Sequence, residues 1–102
     1  MARPRLDLQE LLEDTLGSTN VYFQPPNNLT LRYPCIIYLV EGEDVQHAND
    51  QIYRDHLRYQ VTLITREPDD PVFDRIRRLP FCSLTRTFTS DDLNHANFTL
   101  FY

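Results

Sequence analysis

Residues 59–79 read Tyr59-Gln60-Val61-Thr62-Leu63-Ile64-Thr65-Arg66-Glu67-Pro68-Asp69-Asp70-Pro71-Val72-Phe73-Asp74-Arg75-Ile76-Arg77-Arg78-Leu79, and they decide the fold class. The first part alternates. Tyr59, Val61 and Leu63 point one way, Gln60, Thr62 and Arg66 the other, with Ile64 interrupting the polar set. That is the period of a half-buried strand. Pro68-Asp69-Asp70-Pro71 then changes the period. Asp70 is a natural N-cap and Pro71 suits the first position of a helix. Val72, Phe73, Ile76 and Leu79 supply the buried stripe, and Pro80 ends the helix. Arg75, Arg77 and Arg78 are left for solvent, where they favour the helix C-terminus.

On the C-terminal side, residues 81–88 form a second strand with Ser83, Thr85 and Thr87 on its polar face. Thr89-Ser90-Asp91-Asp92 is turn chemistry. Residues 96–102 return as a strand with Phe98, Leu100 and Tyr102 on one face. On the N-terminal side, residues 34–41 are apolar on both faces, which predicts a central strand covered from two sides. Pro25-Pro26-Asn27-Asn28 turns the chain after a short β-prone run at 20–24, and residues 29–32 read as a short strand or an extended loop. Residues 6–16 place Leu8, Leu11, Leu12 and Leu16 on one helical face, and Gly17 sits where a left-handed C-cap belongs. Asp7, Glu10, Glu13 and Asp14 fill the opposite face. Those near the helix end oppose its dipole by a few tenths of a kcal/mol each, so the leucines must supply the stability.

Between two strands lies a polar connection, residues 41–58. A connection of this length inside a small domain is uncommon and is usually functional or disordered. Ile52, Tyr53 and Leu57 are isolated apolar residues in it, suited to packing on a neighbouring chain. The order of elements predicts an α+β fold: a mostly antiparallel sheet with two helices packed on one face, and a long arm-like connection between two central strands. Residues 1–102 then form a single domain, with 43–56 as an extended loop or arm.

Composition agrees. The chain has 102 residues and a mass of 12.1 kDa, which allows one domain. A chain of this size buries roughly 60–70% of its unfolded surface, enough for one core. A 41% hydrophobic and 25% charged content with Gly 2 and Pro 7 excludes a disordered tail or a fibre. The net charge of −5 disfavours a reader of duplex DNA, which carries a basic footprint. All 10 basic residues are arginine. No apolar run approaches the ~20 residues of a membrane span, and no apolar region follows Met1-Ala2-Arg3-Pro4-Arg5, so neither a membrane anchor nor a secretory signal is expected. Cys35 and Cys82 read as buried thiols of a reducing compartment; a bridge between them requires neighbouring strands.

The chemistry-bearing residues favour bland roles. His47, His56 and His95 lack the spacing of a helical metal site and have no CxxC beside them. Asp69-Asp70 and Asp91-Asp92 resemble a carboxylate cluster for a divalent cation, but both pairs fall at turns that aspartate favours for its own backbone bonds. No phosphate-cradling or nucleophile-elbow motif is present. A Ser90–His95–aspartate triad has no oxyanion hole to serve it. The expectation is a protein that is not an enzyme and uses no metal or cofactor. Arg75 and Arg78 are either a solvated helix face or a contact between subunits, since arginine suits bidentate pairing with carboxylates. Glu41, Glu43, Asp44 and Asp55 are candidate partners for them. Tyr53, Arg54 and Arg58 carry the residue types enriched at interfaces, set against the plain alternative of a surface loop.

Several runs, in order, resemble a known family. They are Tyr22-Phe23-Gln24-Pro25-Pro26, Tyr33-Pro34-Cys35-Ile36-Ile37-Tyr38, Tyr59-Gln60-Val61-Thr62-Leu63-Ile64, Pro68-Asp69, Leu79-Pro80-Phe81-Cys82, Asp92-Leu93-Asn94-His95 and Phe98-Thr99-Leu100-Phe101-Tyr102. The chain resembles the small neck and tail-completion proteins of long-tailed bacteriophages, and in particular the tail terminators. The resemblance implies an α+β fold and a ring of copies, commonly a hexamer, on the finished tail tube. It implies contacts with the tail-tube protein and with a neck or head-completion protein, and genomic DNA passing through the lumen without specific binding. It also implies residence in the virion after assembly in the bacterial cytoplasm. The alternatives are a head-completion or stopper protein of the same neck, or a small non-viral binding module.

Overall fold

The computed structural model describes residues 5–43 and 57–102, apart from the side chain of Glu43. In chain order the elements are α1 (Arg5–Leu16), β1 (Val21–Phe23), β2 (Cys35–Glu43), β3 (Leu57–Thr65), α2 (Pro71–Arg77), β4 (Cys82–Ser90) and β5 (Leu93–Phe101). The strands form one sheet in the order β1-β2-β3-β5-β4, parallel at β1–β2 and antiparallel elsewhere. The fold is α+β.

One face of the sheet carries the core. Ile36, Tyr38, Tyr59, Val61, Leu63, Ala96, Phe98 and Leu100 are buried there. The register explains why they meet: Tyr38 stands opposite Val61, and Val61 opposite Phe98. Leu8, Leu12 and Leu16 of α1 and Val72 and Ile76 of α2 close over this face. Each of these side chains contributes about 1.5–3 kcal/mol on full burial. The helices pack on each other as well, α1 over β1 and β2 and α2 toward β4.

Local chemistry ends each element. The Gly17 amide donates to the Glu13 carbonyl at 2.8 Å, and Gly17 takes φ +84°, the left-handed conformation that a C-cap glycine supplies. The Asp70 carboxylate accepts from the Val72 amide at 2.9 Å, with Pro71 in the first turn. Asp91 and Asp92 take φ 54° and 63° between the paired residues Ser90 and Leu93. This two-residue turn has positive φ at both positions, which suits the right-handed twist of the strands it joins. The Tyr33–Pro34 peptide is cis.

Three expectations are corrected. The strands flanking the polar connection are longer than alternation alone indicates, because pairing runs to Gly42↔Arg58 and Glu43↔Leu57. A register shift between Val40 and Gly42, with Gly42 at φ +146°, breaks the alternation there and hides the strand end. Leu57 does not await a neighbouring chain: it packs against the core, and its amide donates to the Tyr102 carbonyl at 3.2 Å. Residues 34–41 are not covered equally on both faces. Ile36 and Tyr38 lie under α1, but Ile37 and Leu39 are only half-buried, beside the 24–31 loop. Of the two readings open for residues 29–32, the structure takes the loop.

Candidate functional site

Of the residues singled out as interface candidates, Asp44, Tyr53, Arg54 and Asp55 lie outside the described residues, and Glu43 is placed only by its strand pairing. Glu41 and Arg58 meet each other within one chain, Oε2 to Nε at 3.4 Å across the β2–β3 ladder, both about one-third exposed. An ion pair so exposed contributes ~0–1 kcal/mol. Arg75 and Arg78 are exposed on α2 and at its C-cap. The structure therefore puts Glu41 with Arg58, and does not bring Glu41 into an ion pair with Arg75 or Arg78.

Asp70 caps the helix that carries these arginines. Its Oδ1 accepts from the Val72 amide, and its Oδ2 accepts from the Thr65 hydroxyl at 2.8 Å. Thr65 is the one buried polar residue among those described, and its hydroxyl also accepts from the Glu67 amide at 3.2 Å. The end of β3 and the start of α2 are thus joined through one carboxylate. Arg77 pairs with Asp74 at 3.3 Å, while Arg75 and Arg78 make no ion pair among the described residues.

The opposite flank of the helical layer is acidic. Asp7, Glu10 and Asp14 of α1 are exposed, and no basic residue stands in its last turn. Gln9 is the polar hinge of that flank. Its side-chain amide donates to Glu13 Oε2 at 2.9 Å and to the Val21 carbonyl at 3.0 Å, and its oxygen accepts from the Tyr38 hydroxyl. Tyr38 accepts in turn from Arg5, whose guanidinium lies 4.4 Å from the centre of the Phe23 ring. Sequence reading missed this network, because it joins residues far apart in the chain.

The two sheet edges differ. β1 is three residues long, and the outward Val21 carbonyl is covered by Gln9. β4 is nine residues long, is last in the strand order, and has seven exposed residues. Leu84 is 42% exposed on it. Its ladder with β5 shifts register between Leu84 and Arg86, and the Arg86 guanidinium lies over the Phe88 ring at 4.7 Å. The sheet face away from the helices carries Gln60, Thr62, Asn97 and Thr99, half-buried. Thr62 donates to Asn97 at 2.8 Å, and the Thr85 and Thr99 hydroxyls lie 3.1 Å apart.

Two open clefts flank the sheet. One of about 430 Å³ lies among Thr65, Asp70, Phe73, Thr87 and Asn94; the other, about 570 Å³, is apolar, among Pro25, Pro26, Leu29, Leu31, Ile37 and Leu39. His95 stacks on Phe88 with ring centres 4.6 Å apart, while Ser90 ends β4 and Asp91 and Asp92 form the exposed turn. His47 and His56 lie outside the described residues. No group of three or more metal-ligating side chains occurs among the described residues. No helix among them is long and apolar enough to cross a membrane. Burial pushes both thiols up, Cys35 and Cys82 each to about 11. β3 and β5 stand between their strands, so three strand spacings, about 14 Å, separate two side chains that a disulfide needs within ~7 Å at Cα.

Compared with protein-family models, with curated proteins and with solved structures, the chain matches none.

Proposed function

We propose that this protein is a tail terminator of a long-tailed bacteriophage. In this role its copies close into a ring, a hexamer, at the head-proximal end of the tail tube. The ring ends tube growth and joins tail to head through a neck protein. Genomic DNA passes through its lumen, and a chain of net charge −5 does not grip the phosphates. In this reading the contacts between subunits run through Glu41, Glu43, Asp44, Tyr53, Arg54, Asp55, Arg58, Arg75 and Arg78.

The observation that supports an assembling protein is the unequal finish of the sheet. A nine-residue outer strand with exposed N–H and C=O groups is a template for another chain, and monomeric proteins shorten, cover or charge such edges. Here β1 is short and covered, while β4 is long and uncovered and has only Arg86 and the register shift at Leu84/Arg86 to limit what pairs with it. Unlike ends on one subunit suit a heterologous contact, the kind that closes rings.

Native mass spectrometry and negative-stain imaging of the full chain, alone and with tail-tube protein, test this. Rings are expected. A strictly monomeric species in both samples refutes the proposal. Capture by tube protein rather than by portal-side neck protein distinguishes a terminator from a stopper.

A further inference from the structure

The two helices carry opposite charge on opposite flanks. α1 presents Asp7, Glu10 and Asp14 to solvent above β1 and β2, and α2 presents Arg75 and Arg78 on the side of β4. Although the helices touch, no ion pair joins these two sets within one chain. A second, independent feature points to a cationic partner for α1. Its last turn holds no basic residue, so Asp14 faces the negative end of the helix dipole uncompensated. Arginines brought from outside would relieve that repulsion, and their forked guanidinium groups match carboxylate geometry.

We propose that the α2 arginines of one copy dock on the α1 carboxylates of the next, and that this helix-to-helix contact is the repeating interface of the assembly. The occupant of the acidic flank is thus a second copy of this chain, approached by its basic flank. Because the two surfaces are different and sit on helices over different strands of the sheet, α1 by β1 and β2 and α2 by β4, the contact is heterologous and can propagate head-to-tail around a ring. The inference rests on the ring assembly proposed above. It moves the partner of Arg75 and Arg78 from the acids around 41–55 to those of α1.

The test uses charge reversal in the full chain. One variant carries Arg75→Glu and Arg78→Glu; the other carries Glu10→Arg and Asp14→Arg. All four side chains are exposed, and Asp14→Arg places a cation at the favourable end of its helix, so both chains should fold. Each alone juxtaposes like charges at every contact and should need about tenfold or more protein to assemble. Wild-type assembly should weaken as salt rises. Mixed in equal amounts, the two variants have complementary flanks again, and rings should return with alternating copies and an even subunit number. If either variant assembles like wild type, or if the mixture fails to assemble, the helix contact is overturned while the ring still stands. If wild type is monomeric with and without tube protein, the ring itself falls, and this contact with it.

Discussion

Replacing Asp70 by alanine removes two bonds with one change. The Val72 amide loses its cap, which costs about 1 kcal/mol in comparable N-caps. The Thr65 hydroxyl, buried with its residue, loses a charged acceptor worth roughly 1.5–3 kcal/mol at full burial. Asp70 is half-buried and the Thr65 hydroxyl keeps its contact with the Glu67 amide, so the lower end applies. The sum is about 2–3 kcal/mol, against a total stability of ~5–15 kcal/mol for a domain. Thermal unfolding should shift down by roughly 10–15 °C at this chain length. Asp70→Asn keeps an oxygen for Val72 and leaves Thr65 an amide partner, and should cost under ~1 kcal/mol. Urea titration followed by circular dichroism measures both, and a cycle with Thr65→Val should give a coupling of ~0.5–1.5 kcal/mol. If Asp70→Ala costs less than ~0.5 kcal/mol, or no more than Asp70→Asn, the carboxylate is not the joint between β3 and α2.

Asp92→Gly should stabilise the protein by about 0.5–1 kcal/mol, because glycine takes the positive φ of that turn position without the strain an L side chain carries; a lower urea midpoint contradicts this. The two thiols are held near 11 in the folded chain against 9.0 without burial, so the folded state keeps their protons longer. Their contribution is complete below about pH 9 and is lost as pH rises through about 11, and a Cys35→Ser/Cys82→Ser chain should show a shallower alkaline loss in thermal melts. Gln9→Ala takes from the Val21 carbonyl its side-chain donor and from the Tyr38 hydroxyl its acceptor, leaving Tyr38 only the Arg5 bond, and should cost about 1–3 kcal/mol, with amide exchange faster at β1 than at β5; equal exchange at both strands argues against Gln9 as the guard of that edge.

Elements written in local chemistry were legible. α1 shows in its leucine spacing and Gly17, α2 in Asp70-Pro71, and β3 in the alternation from Tyr59 to Leu63, because each depends on residues within one or two turns of each other. Strand order was not legible. Nothing near Val21 says that it pairs in parallel with Ile36, and nothing near Cys82 says that β5 will lie between its strand and β3. The strand ends at Glu43 and Leu57 were hidden by the break at Gly42, where side-chain alternation fails although the ladder continues. For the candidate site, sequence reading found Arg75 and Arg78 as exposed arginines on a helix. It offered the acids of residues 41–55 as their counterpart, and not the α1 acids proposed above. The acids of α1 looked like an ordinary solvated face until the fold placed the two helices on opposite flanks of one layer.

An exposed strand as long as β4 invites promiscuous pairing, so its own residues must decide what it accepts. Two copies of β4 joined antiparallel at full overlap have Arg86 at their midpoint, opposite Arg86 of the other copy. Like charges directly opposite each other are destabilising, and the shift at Leu84 and Arg86 further disturbs a flat ladder. Self-pairing is therefore opposed by the one charge the strand carries, while its threonines leave it compatible with a polar strand or loop of different sequence. The other edge is closed to it by Gln9 and by the shortness of β1. A chain built this way resists both two-fold pairing through β4 and indefinite edge-to-edge growth. It still leaves the β4 flank, with Arg75 and Arg78 beside it, open to an unlike surface, as a head-to-tail ring requires.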